Sequence, residues 1–576
     1  MSKRWLVAPP MAQEIQRPFP EIDPAVLQLL WNRGVKTQEE IDVFFGPDWS
    51  RDTHHPDLFL QMKTAVARVF AAFEAHEVIT VHGDYDADGV CGSAVLICTL
   101  RDIARALSFD ASKITSYIPH REKEGYGMSV PTIEHLAEHD RTKLVITVDC
   151  GISNKPAIDR GRELGIDTIV CDHHTMPAEL PTSAILIHPL VPGETYPNKH
   201  LCGTGVAFKL ASALIAEARA RGAALPDGHE KWLLDLVAIA TVTDVMPLRG
   251  ENRVLETYGL LVLNKTRRVG LKKLMDVAGS KLGALDTYSI GFQIGPRLNA
   301  AGRMDHANAA LYLLIEEDEA KATQMAAGLQ QANVARQKAS EAMYQEAKRL
   351  IGDPGDAPAI IIAKEGWSAG LVGLVAGKLV GDFGRPVYVA GEENGKFVGS
   401  GRSIPGFDVT AALREAAEHL DKFGGHPQAC GFSTSGKERF EAARERMLAY
   451  AAQQLSQTDL TPTLAVDAEI PLEEAHWELE DAVQRFAPFG EGNPRPVFAS
   501  KDVEVIGVDT VGSDGKHLRL TVRSLGGKMA KMIGFGFGHL VSALALGMRV
   551  DVAYEIGVNE WNGNRELQLR IVDLKI

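Results

Sequence analysis

The chain has 576 residues, which at roughly 100–200 residues per domain corresponds to about three to five domains. Hydrophobic residues make up 45% and charged residues 24% of the chain, as in average globular proteins, so a disordered chain, a collagen and a coiled-coil rod are excluded. The 61 Lys and Arg residues against 75 Asp and Glu residues give a formal net charge of −14. An acidic chain is not an obvious nucleic-acid binder, but local basic patches and metal-holding carboxylates remain compatible with phosphate binding.

The sequence shows no membrane segment, because its longest apolar stretch, 232–242, is short and contains Asp235. Residues 1–19 contain no apolar core of a signal peptide, so we expect a cytoplasmic protein that does not bind membranes. The six cysteines are scattered without a CxxC pair, which favours reduced core thiols over disulfides or a zinc site.

Residues 1–60 are rich in Pro, Asp and His, and we interpret them as an N-terminal extension with short helices. Residues 61–312 form the first predicted domain, where short β-branched runs alternate with helix-length segments. This alternation predicts a parallel sheet with helices on both faces. The predicted strands are 78–81, 114–118, 144–148 and 168–171.

The second half of the chain divides into three further segments. Residues 316–350 contain one Gly and no Pro, which predicts a long helix within a connecting segment, 313–352. Residues 353–456 again alternate and form a second α/β domain with strands at 359–363, 386–390 and 396–400. Residues 463–576 contain short alternating runs between Gly, Asn and Asp turns, which indicates a small closed or half-closed β-barrel. The predicted class is therefore α/β, with two α/β domains, a long helix between them and a C-terminal barrel.

Carboxylates and imidazoles follow four apolar runs, 78–81, 144–148, 168–171 and 236–242, at positions that we interpret as strand ends. Loops at the carboxyl ends of parallel strands converge on one crevice, so these side chains should meet there. Crowded carboxylates repel one another unless cations neutralise them, and Asp with some His suits Mn²⁺ or Mg²⁺. A helix cap or a solvated turn explains each cluster singly but not all four together. The clusters are Asp84, Asp86 and Asp88; Asp149; Asp172, His173 and His174; and Asp244.

Arginines in glycine-containing loops are suited to gripping the phosphates of a substrate, since Arg binds phosphate in a bidentate manner. Arg121, Arg297, Arg303 and Arg402 lie in such loops, although each alone could be an ordinary surface residue. Ser400-Gly401-Arg402-Ser403 and Gly424-Gly425-His426 are more specific, because glycine permits close approach while Ser, Arg and His donate hydrogen bonds.

Two stretches of the acidic chain are locally basic. Residues 515–550 contain six Lys and Arg residues and no acid, and residues 257–275 contain five and no acid. Phe535, Phe537 and Trp561 lie in the predicted barrel and could stack bases, although core packing is the commoner role of such residues. We predict a nucleic-acid surface, with a solvated face as the alternative, formed by Lys516, Arg519, Arg523, Lys528 and Lys531.

These motifs resemble the DHH phosphoesterase superfamily, named for the triplet seen here as Asp172-His173-His174, and within it the RecJ family of exonucleases. The resemblance covers most of the chain from about residue 60. One departure is Ser368, where many relatives carry His, so a role for that position is in doubt. The similar segments are 83–89, 117–121, 124–127, 148–151, 241–248 and 295–303, then 399–403 and 424–426 as in a DHHA1 domain, and 489–494 at the start of an OB-fold.

The resemblance implies a site with two divalent cations, Mn²⁺ or Mg²⁺. One ion would use Asp86 and Asp149, and His82 and Asp84 would complete its shell. The other would use Asp88, Asp149, His173 and Asp244, so that Asp149 bridges the two. The implied catalytic residues are His174, Asp149 and His426. The implied substrate-binding residues are Arg121, Arg297, Asn299, Arg303, Ser400, Arg402, Ser403, Gly424, Gly425 and His426.

The resemblance further implies a 5′-to-3′ exonuclease that hydrolyses single-stranded DNA to mononucleotides in DNA repair and recombination. It would act as a monomer, with a helicase or a single-strand-binding protein as candidate partners. Two alternatives stay open: a phosphodiesterase of the same superfamily for small nucleotides or oligonucleotides, and a non-catalytic nucleic-acid scaffold. The barrel argues against the first alternative, and the complete set of ligand positions argues against the second.

Overall fold

The computed structural model describes residues 3–121, 123–304, 306–512, 514–561 and 564–576. It forms two compact units, Thr53–Leu460 on the one hand and Met1–Asp52 together with Thr461–Ile576 on the other. Among the described residues, no helix combines the length and the apolar character needed to cross a bilayer.

The N-terminal segment is built from one strand and four short helices. Asp23 begins the second helix by accepting hydrogen bonds from the amides of Ala25 and Val26, and a capping box between Thr37 and Glu40 begins the third. The elements are β1 (Arg4–Val7), α1 (Gln13–Gln16), α2 (Pro24–Asn32), α3 (Gln38–Phe45) and α4 (Trp49–Asp52).

The first α/β region carries a five-stranded sheet in which every neighbouring pair is parallel, in the order β3-β2-β4-β5-β6. The predicted parallel sheet is therefore confirmed. Strands β2, β4 and β5 are neighbours, so the loops at their carboxyl ends lie along one edge. The elements are α5 (Met62–Glu74), β2 (Val78–Gly83), α6 (Ala87–Ala106), β3 (Ile114–Tyr117), α7 (Val130–Glu138), β4 (Thr142–Val148), α8 (Lys155–Glu163), β5 (Asp167–Cys171) and β6 (Ile185–Ile187).

A helical layer follows, and here one prediction is wrong. The run 236–242 was expected to be a strand that ends before Asp244, but it belongs to a helix whose C-cap is Asp244. Residues 234–241 are all buried, so the helix shows no amphipathic period and cannot be told from a strand by pattern. The layer contains α9 (Gly203–Ala220), α10 (Leu234–Thr243), α11 (Gly250–Leu263), α12 (Val269–Ala278), a π-helix (Ser289–Ile294), α13 (Gly295–Met304) and α14 (Asn308–Ile315).

The long helix α15 (Glu319–Ile351) begins three residues later than predicted, because Asp318 caps it by accepting a hydrogen bond from the amide of Lys321. It leads into a second five-stranded sheet of order β10-β11-β9-β8-β7, in which only β7 and β8 are parallel. The elements are β7 (Ile360–Glu365), α16 (Val372–Phe383), β8 (Val387–Glu393), β9 (Lys396–Arg402), α17 (Val409–Glu415), β10 (Lys422–His426), β11 (Ala429–Ser435) and α18 (Lys437–Leu455).

The other unit contains a closed five-stranded barrel of order β14-β15-β16-β18-β17, in which β17 pairs again with β14. The predicted C-terminal barrel is therefore confirmed. Its core includes Leu29 and Leu30 of α2, so the N-terminal segment packs on the barrel. The elements are β12 (Thr463–Val466), β13 (Ala468–Glu469), α19 (Trp477–Gln484), β14 (Phe498–Val511), β15 (His517–Arg523), β16 (Met529–Gly534), β17 (Arg549–Trp561) and β18 (Asn564–Lys575).

Arg33 links the two ends of the chain within this unit. Its guanidinium is buried and donates hydrogen bonds to the side chain of Asn493 at 2.8 Å and to the carbonyl of Pro494 at 2.7 Å. It also forms an ion pair with Asp467 at 3.2 Å. Asn493 in turn donates to the carbonyls of Phe486 and Pro488, so the segment 489–494 serves to anchor this arginine.

Replacing Arg33 with Ala should destabilise this unit by about 2–4 kcal/mol, because the buried Oδ1 of Asn493 loses its donor and the partly buried Asp467 loses its ion pair. Lys501→Ala removes a half-exposed ion pair with Glu469 in the same unit and should cost at most about 1 kcal/mol. Hydrogen exchange of the full chain should show faster opening of 3–52 and 463–576 only in the Arg33 variant. Equal protection in both variants would contradict the linking role.

Candidate metal centre and phosphate cleft

The loop between β2 and α6 places three aspartates in a tight turn. Asp86 caps α6 by accepting hydrogen bonds from the amides of Asp88 and Gly89 at 2.9 and 3.2 Å. A Cβ at Gly89 would lie 2.5 Å from the backbone of Asp84, so only glycine allows the loop to fold back this closely. Asp84 is 4% exposed, and its Oδ1 has no hydrogen-bond partner among the described atoms.

Asp149 follows β4 with a backbone φ of 59°, a left-handed conformation that is uncommon for residues other than glycine. The hydroxyl of Tyr126 donates a hydrogen bond to its carbonyl oxygen at 2.9 Å. The start of α9 packs directly behind it, because a Cβ at Gly203 would lie 2.6 Å from the Cβ of Asp149. These two contacts fix the backbone of Asp149, and with it the buried carboxylate, at the edge of the sheet.

The triplet after β5 consists of one carboxylate, which positions its neighbour, and two imidazoles. Asp172 is fully buried and accepts hydrogen bonds from the amide of Ile152 and from Nδ1 of His174 at 3.0 and 2.8 Å. Burial alone would raise the pKa of Asp172, but these bonds and the neighbouring imidazoles outweigh it, so this pKa lies well below its usual value. Burial lowers the pKa of His174, but the bond to Asp172 together with the charges of Asp172, Asp84 and Asp86 outweighs burial and raises this pKa overall.

His173 lies at the centre of the carboxylates. Its Nε2 is 3.1 Å from Oδ1 of Asp149, 3.4 Å from Oδ2 of Asp244 and 3.8 Å from Oδ2 of Asp88. Asp88 also accepts hydrogen bonds from the amides of Gly203 and Thr204 at the start of α9, both at 2.7 Å. Residues from four separate chain segments therefore converge, although Asp244 arrives from a helix rather than a strand.

These side chains form three groups. Within each group, the ligand atoms lie within 4.8 Å of one another. Burial and then the neighbouring aspartates raise the pKa values of Asp84, Asp149 and Asp244 well above the usual range. Buried oxygens of Asp84 and Asp244 also lack hydrogen-bond partners among the described atoms. Such a donor set fits hard divalent cations such as Mn²⁺ or Mg²⁺. The groups are Asp84, Asp86 and Asp149; Asp88, His173 and Asp244; and Asp149, His173 and His174.

His82 belongs to none of these groups among the described residues. It is fully buried in β2, where its ring stacks on Tyr117 with the centroids 5.5 Å apart. Burial lowers the pKa of its imidazole to about 4, so the ring is neutral at pH 7. Its Nδ1 lies 3.6 Å from Sγ of Cys150, and its Nε2 has no hydrogen-bond partner among the described atoms.

Three arginines lie beside the acidic centre. Arg121 lies over the ring of Tyr85 at 4.7 Å, and Arg303 donates to the carbonyl of Gly370 at 2.9 Å. Arg402 donates to the hydroxyl of Ser400 at 2.7 Å. Burial, followed by repulsion from Arg121 and from Arg336 on α15, lowers the pKa of Arg303 to about 10. Cations close enough to repel one another form a site for an anion.

The second sheet reaches the triplet of the first. Nδ1 of His426 lies 3.0 Å from the hydroxyl of Thr175, and its ring centroid lies 6.2 Å from that of His174. Gly425 has a φ of 141°, and a Cβ there would lie 2.4 Å from the carbonyl oxygen of Ala429, so the β10–β11 hairpin requires glycine at this point. Burial and the neighbouring His174 lower the pKa of His426. One cleft is therefore lined by both α/β regions.

Other predicted substrate residues make structural contacts beside this cleft. Asn299 accepts a hydrogen bond from the amide of Ala87 at 2.7 Å and so supports the aspartate loop. Arg297 donates to Gln330 and to the carbonyl of Gln293, while the hydroxyl of Ser403 donates to the carbonyl of Phe407 at 2.6 Å. A Cβ at Gly424 would meet no atom within 4 Å, so the surface there is open.

The predicted nucleic-acid surface belongs to the barrel unit. Although residues 515–550 contain no acid, acidic side chains from neighbouring segments lie beside their basic residues. Antiparallel pairing places Asp509 opposite Arg519 and Glu504 opposite Arg523, and both pairs form ion pairs. Lys516 pairs with Asp514, and Lys528 donates to the carbonyls of Glu473 and Ala475. Lys531 is exposed on β16.

Several residues that contact the site could not be predicted from the sequence. Tyr126 was noted only as part of a motif, yet its hydroxyl also lies 3.0 Å from Nδ1 of His174. Thr175 and Thr204 are ordinary polar residues until the fold places them, and Arg336 is one of many charged residues of a polar helix.

Comparison with known proteins identifies the same three domains. The DHH family N-terminal domain matches residues 78–241, the DHHA1 domain matches 356–453 and the RecJ OB domain matches 466–573. The chain is 37% identical over a 584-residue alignment to the single-stranded-DNA-specific exonuclease RecJ of Bacillus subtilis (strain 168). That alignment covers 99% of this chain and 72% of the relative.

Solved structures show the same similarity. RecJ from Thermus thermophilus in complex with Mn²⁺ superposes with a TM-score of 0.82 at 30% identity, covering 100% of this chain and 79% of that one. The corresponding complex with Mg²⁺ gives a TM-score of 0.77 at 28% identity, covering 100% and 78%.

A parallel sheet with an aspartate loop and an Asp-His-His triplet, followed by a DHHA1 domain, defines a phosphoesterase of the DHH class. Within that class, the chain belongs to the RecJ family. The resemblance inferred from the sequence motifs is therefore confirmed, as is the predicted fold class.

Replacing Asp149 with Asn should abolish hydrolysis and remove the stabilisation that Mn²⁺ gives to the protein. Asn tolerates the left-handed backbone and removes one repelling charge, so the metal-free variant should melt no earlier than the wild type. At 100 times its Kd, the ion should stabilise the wild type by about 2.7 kcal/mol. Melting curves with EDTA and with Mn²⁺ check this. Asp159→Asn, in an exposed pair with Lys155, should keep the full shift. A normal Mn²⁺ shift in the Asp149 variant would contradict a role for Asp149 in metal binding.

Proposed function

We propose that the chain is a metal-dependent exonuclease that hydrolyses single-stranded DNA from its 5′ end to mononucleotides. The observation that carries the proposal is His173, surrounded by three aspartates at the bottom of a cleft whose rim carries arginines. The relatives at this level of similarity are single-stranded-DNA-specific exonucleases by name, which supports the substrate.

Two ions are supported by the grouping of the ligand atoms. Asp84, Asp86 and Asp149 would hold one ion, and Asp88, His173 and Asp244 would hold the other, with Asp149 between them. When bound, two divalent cations supply Lewis-acid activation of the phosphodiester and neutralise its charge. The carboxylates would hold the ions in fixed positions, because burial and hydrogen bonds from backbone amides already fix the carboxylates in the metal-free protein.

His174 is the protein group best placed to exchange a proton with the reacting phosphate. Asp172 accepts a hydrogen bond from its Nδ1, which leaves Nε2 directed toward the cleft. The hydroxyl of Tyr126 touches the same ring and limits its rotation. The bond to Asp172 also favours the protonated ring, so His174 can donate to a phosphate oxygen.

The arginine rim would bind the terminal phosphate of the strand. Arg121, Arg303 and Arg402 converge from both α/β regions, and the hydroxyl of Ser400 lies against Arg402. Binding a 5′-terminal phosphate in this rim would set the polarity of digestion. Action in repair and recombination, a monomeric state and contact with a helicase or a single-strand-binding protein complete the proposal.

The direct experiment uses single- and double-stranded DNA, labelled at either end, with Mn²⁺ or Mg²⁺. The proposal expects 5′-labelled single strands to release labelled mononucleotide at once, while 3′-labelled strands shorten stepwise. Preference for dinucleotides over long strands would favour the small-substrate phosphodiesterase, and binding without cleavage would favour a scaffold.

His426→Ala should lower the cleavage rate by about 10²–10³ without loss of metal or thermal stability, because one preorganised donor to the phosphate disappears. The side chain projects from an exposed strand, so its removal leaves no cavity in the core. Single-turnover cleavage, metal content and a melting curve check this. His419→Ala, in the same region and paired only with Glu418 among the described carboxylates, serves as the control. A His426 variant that cuts at the normal rate or melts early would contradict the catalytic role.

The fragment 53–460, which lacks the whole barrel unit, should cleave short oligonucleotides but bind long strands more weakly than the full chain does. Each lost phosphate contact should reduce the slope of log affinity against log salt by about 0.7 for single strands. Titrations over a range of salt concentrations measure this slope. An unchanged affinity and slope would mean that the barrel unit does not hold the strand.

A further inference from the structure

Two large aromatic rings are exposed on the helical layer of the Thr53–Leu460 unit. Tyr288 is 58% exposed and Phe292 is 67% exposed, and the two rings stack with their centroids 4.6 Å apart. They lie at the start and in the middle of the π-helix Ser289–Ile294. Large apolar groups that remain in solvent together mark a binding surface, and irregular helices of this type are frequent at functional sites.

The π-helix that carries the ring pair contacts the helix that leads to Asp244. A Cβ at Gly291 would lie 3.8 Å from the side chain of Val242, two residues before Asp244, and one at Gly295 would meet Thr243. The π-helix therefore packs against the last turn of α10, the helix that ends at Asp244. The ring pair therefore lies on an element that is in direct contact with the helix supplying Asp244, and it is not part of the candidate metal centre.

A row of arginines leads from the π-helix toward the aspartates. Arg297 donates to the carbonyl of Gln293, one residue after Phe292. Arg336 is close enough to Arg297 and Arg303 for repulsion to lower pKa values, after the larger effect of burial. Its Nε is buried without a hydrogen-bond partner among the described atoms. Arg303, at the other end, is near Asp86.

We propose that Tyr288 and Phe292 form a platform on which bases of the single strand stack, while Arg297 and Arg336 bind the backbone phosphates between this platform and the phosphate cleft. This inference rests on the proposed function. Aromatic faces accept any base, and arginines bind the backbone, so the surface holds a strand without reading its sequence. The row of cations favours DNA over a protein partner.

The platform also gives a physical reason for selectivity. Bases offer both faces for stacking only when they are unpaired, so a duplex cannot use Tyr288 and Phe292 without first separating its strands. The arginine row would attract either form of DNA, since it contacts only phosphates. The ring pair would thus discriminate between the two forms outside the catalytic cleft.

The test measures binding without turnover. The full-length protein in EDTA is titrated with 5′-phosphorylated oligonucleotides in which one nucleotide at a time is abasic. The wild type should lose about 5- to 100-fold in affinity at one or two adjacent positions. The Tyr288→Ala/Phe292→Ala double variant should bind the intact strand weaker by the same factor and show no sensitive position. Phe292→Trp should retain the wild-type profile, and Tyr312→Ala, an exposed tyrosine on α14, serves as the control.

The arginine row is tested in parallel. Arg336→Gln should reduce the slope of log affinity against log salt by about 0.7 and weaken binding of all sequences alike, whereas Lys338→Gln, exposed on the same helix, should not. A wild type with no sensitive position, or a double variant with unchanged affinity, overturns the inference and leaves protein docking as the use of the rings. Failure of the wild type to cut the same strand in Mn²⁺ would instead refute the proposed function.

Discussion

The structure depends on holding several aspartate carboxylates close together in a buried site. Asp84, Asp88 and Asp149 are at most 4% exposed, and all three lie at the same edge of the sheet. Their mutual repulsion opposes folding, so the surrounding backbone must fix them. The start of α9 donates two amides to Asp88, α6 begins at Asp86, and Tyr126 holds the backbone of Asp149. A pair of divalent cations would then neutralise the charges of these carboxylates.

The second α/β region turns this charged edge into a cleft. The hairpin of β10 and β11 brings His426 to Thr175, next to the triplet, while Arg303 donates to Gly370 across the same boundary. Aspartates from the first sheet and arginines from both regions give the cleft opposite charges side by side. A phosphate can therefore contact arginines and metal ions at once, which is what phosphoryl transfer requires.

The sequence predicts the sheet and most of the centre for a simple physical reason. Polar residues after the buried strands β2, β4 and β5 must meet at one edge, so their aspartates and histidines could be grouped without a structure. Asp244 joins them from a helix, because the uniformly apolar run of α10 hides its helical period. Cross-strand partners were also hidden, as Asp509 and Glu504 lie outside the basic stretch that they pair with. The packing of 3–52 on the barrel depends on Arg33, whose partners Asn493 and Pro494 lie 460 and 461 residues away in the chain.

We expect two divalent cations to relieve the repulsion among the buried carboxylates. Burial and then this repulsion raise the pKa values of Asp84, Asp149 and Asp244. Calorimetric titration of the metal-free protein with Mn²⁺, in buffers of different ionisation enthalpy, counts both the ions bound and the protons released. We expect two ions per chain and a release of protons that grows as the pH of the titration is lowered, because the pKa values of Asp84, Asp149 and Asp244 are raised. A single ion, or binding without proton release, would contradict this expectation.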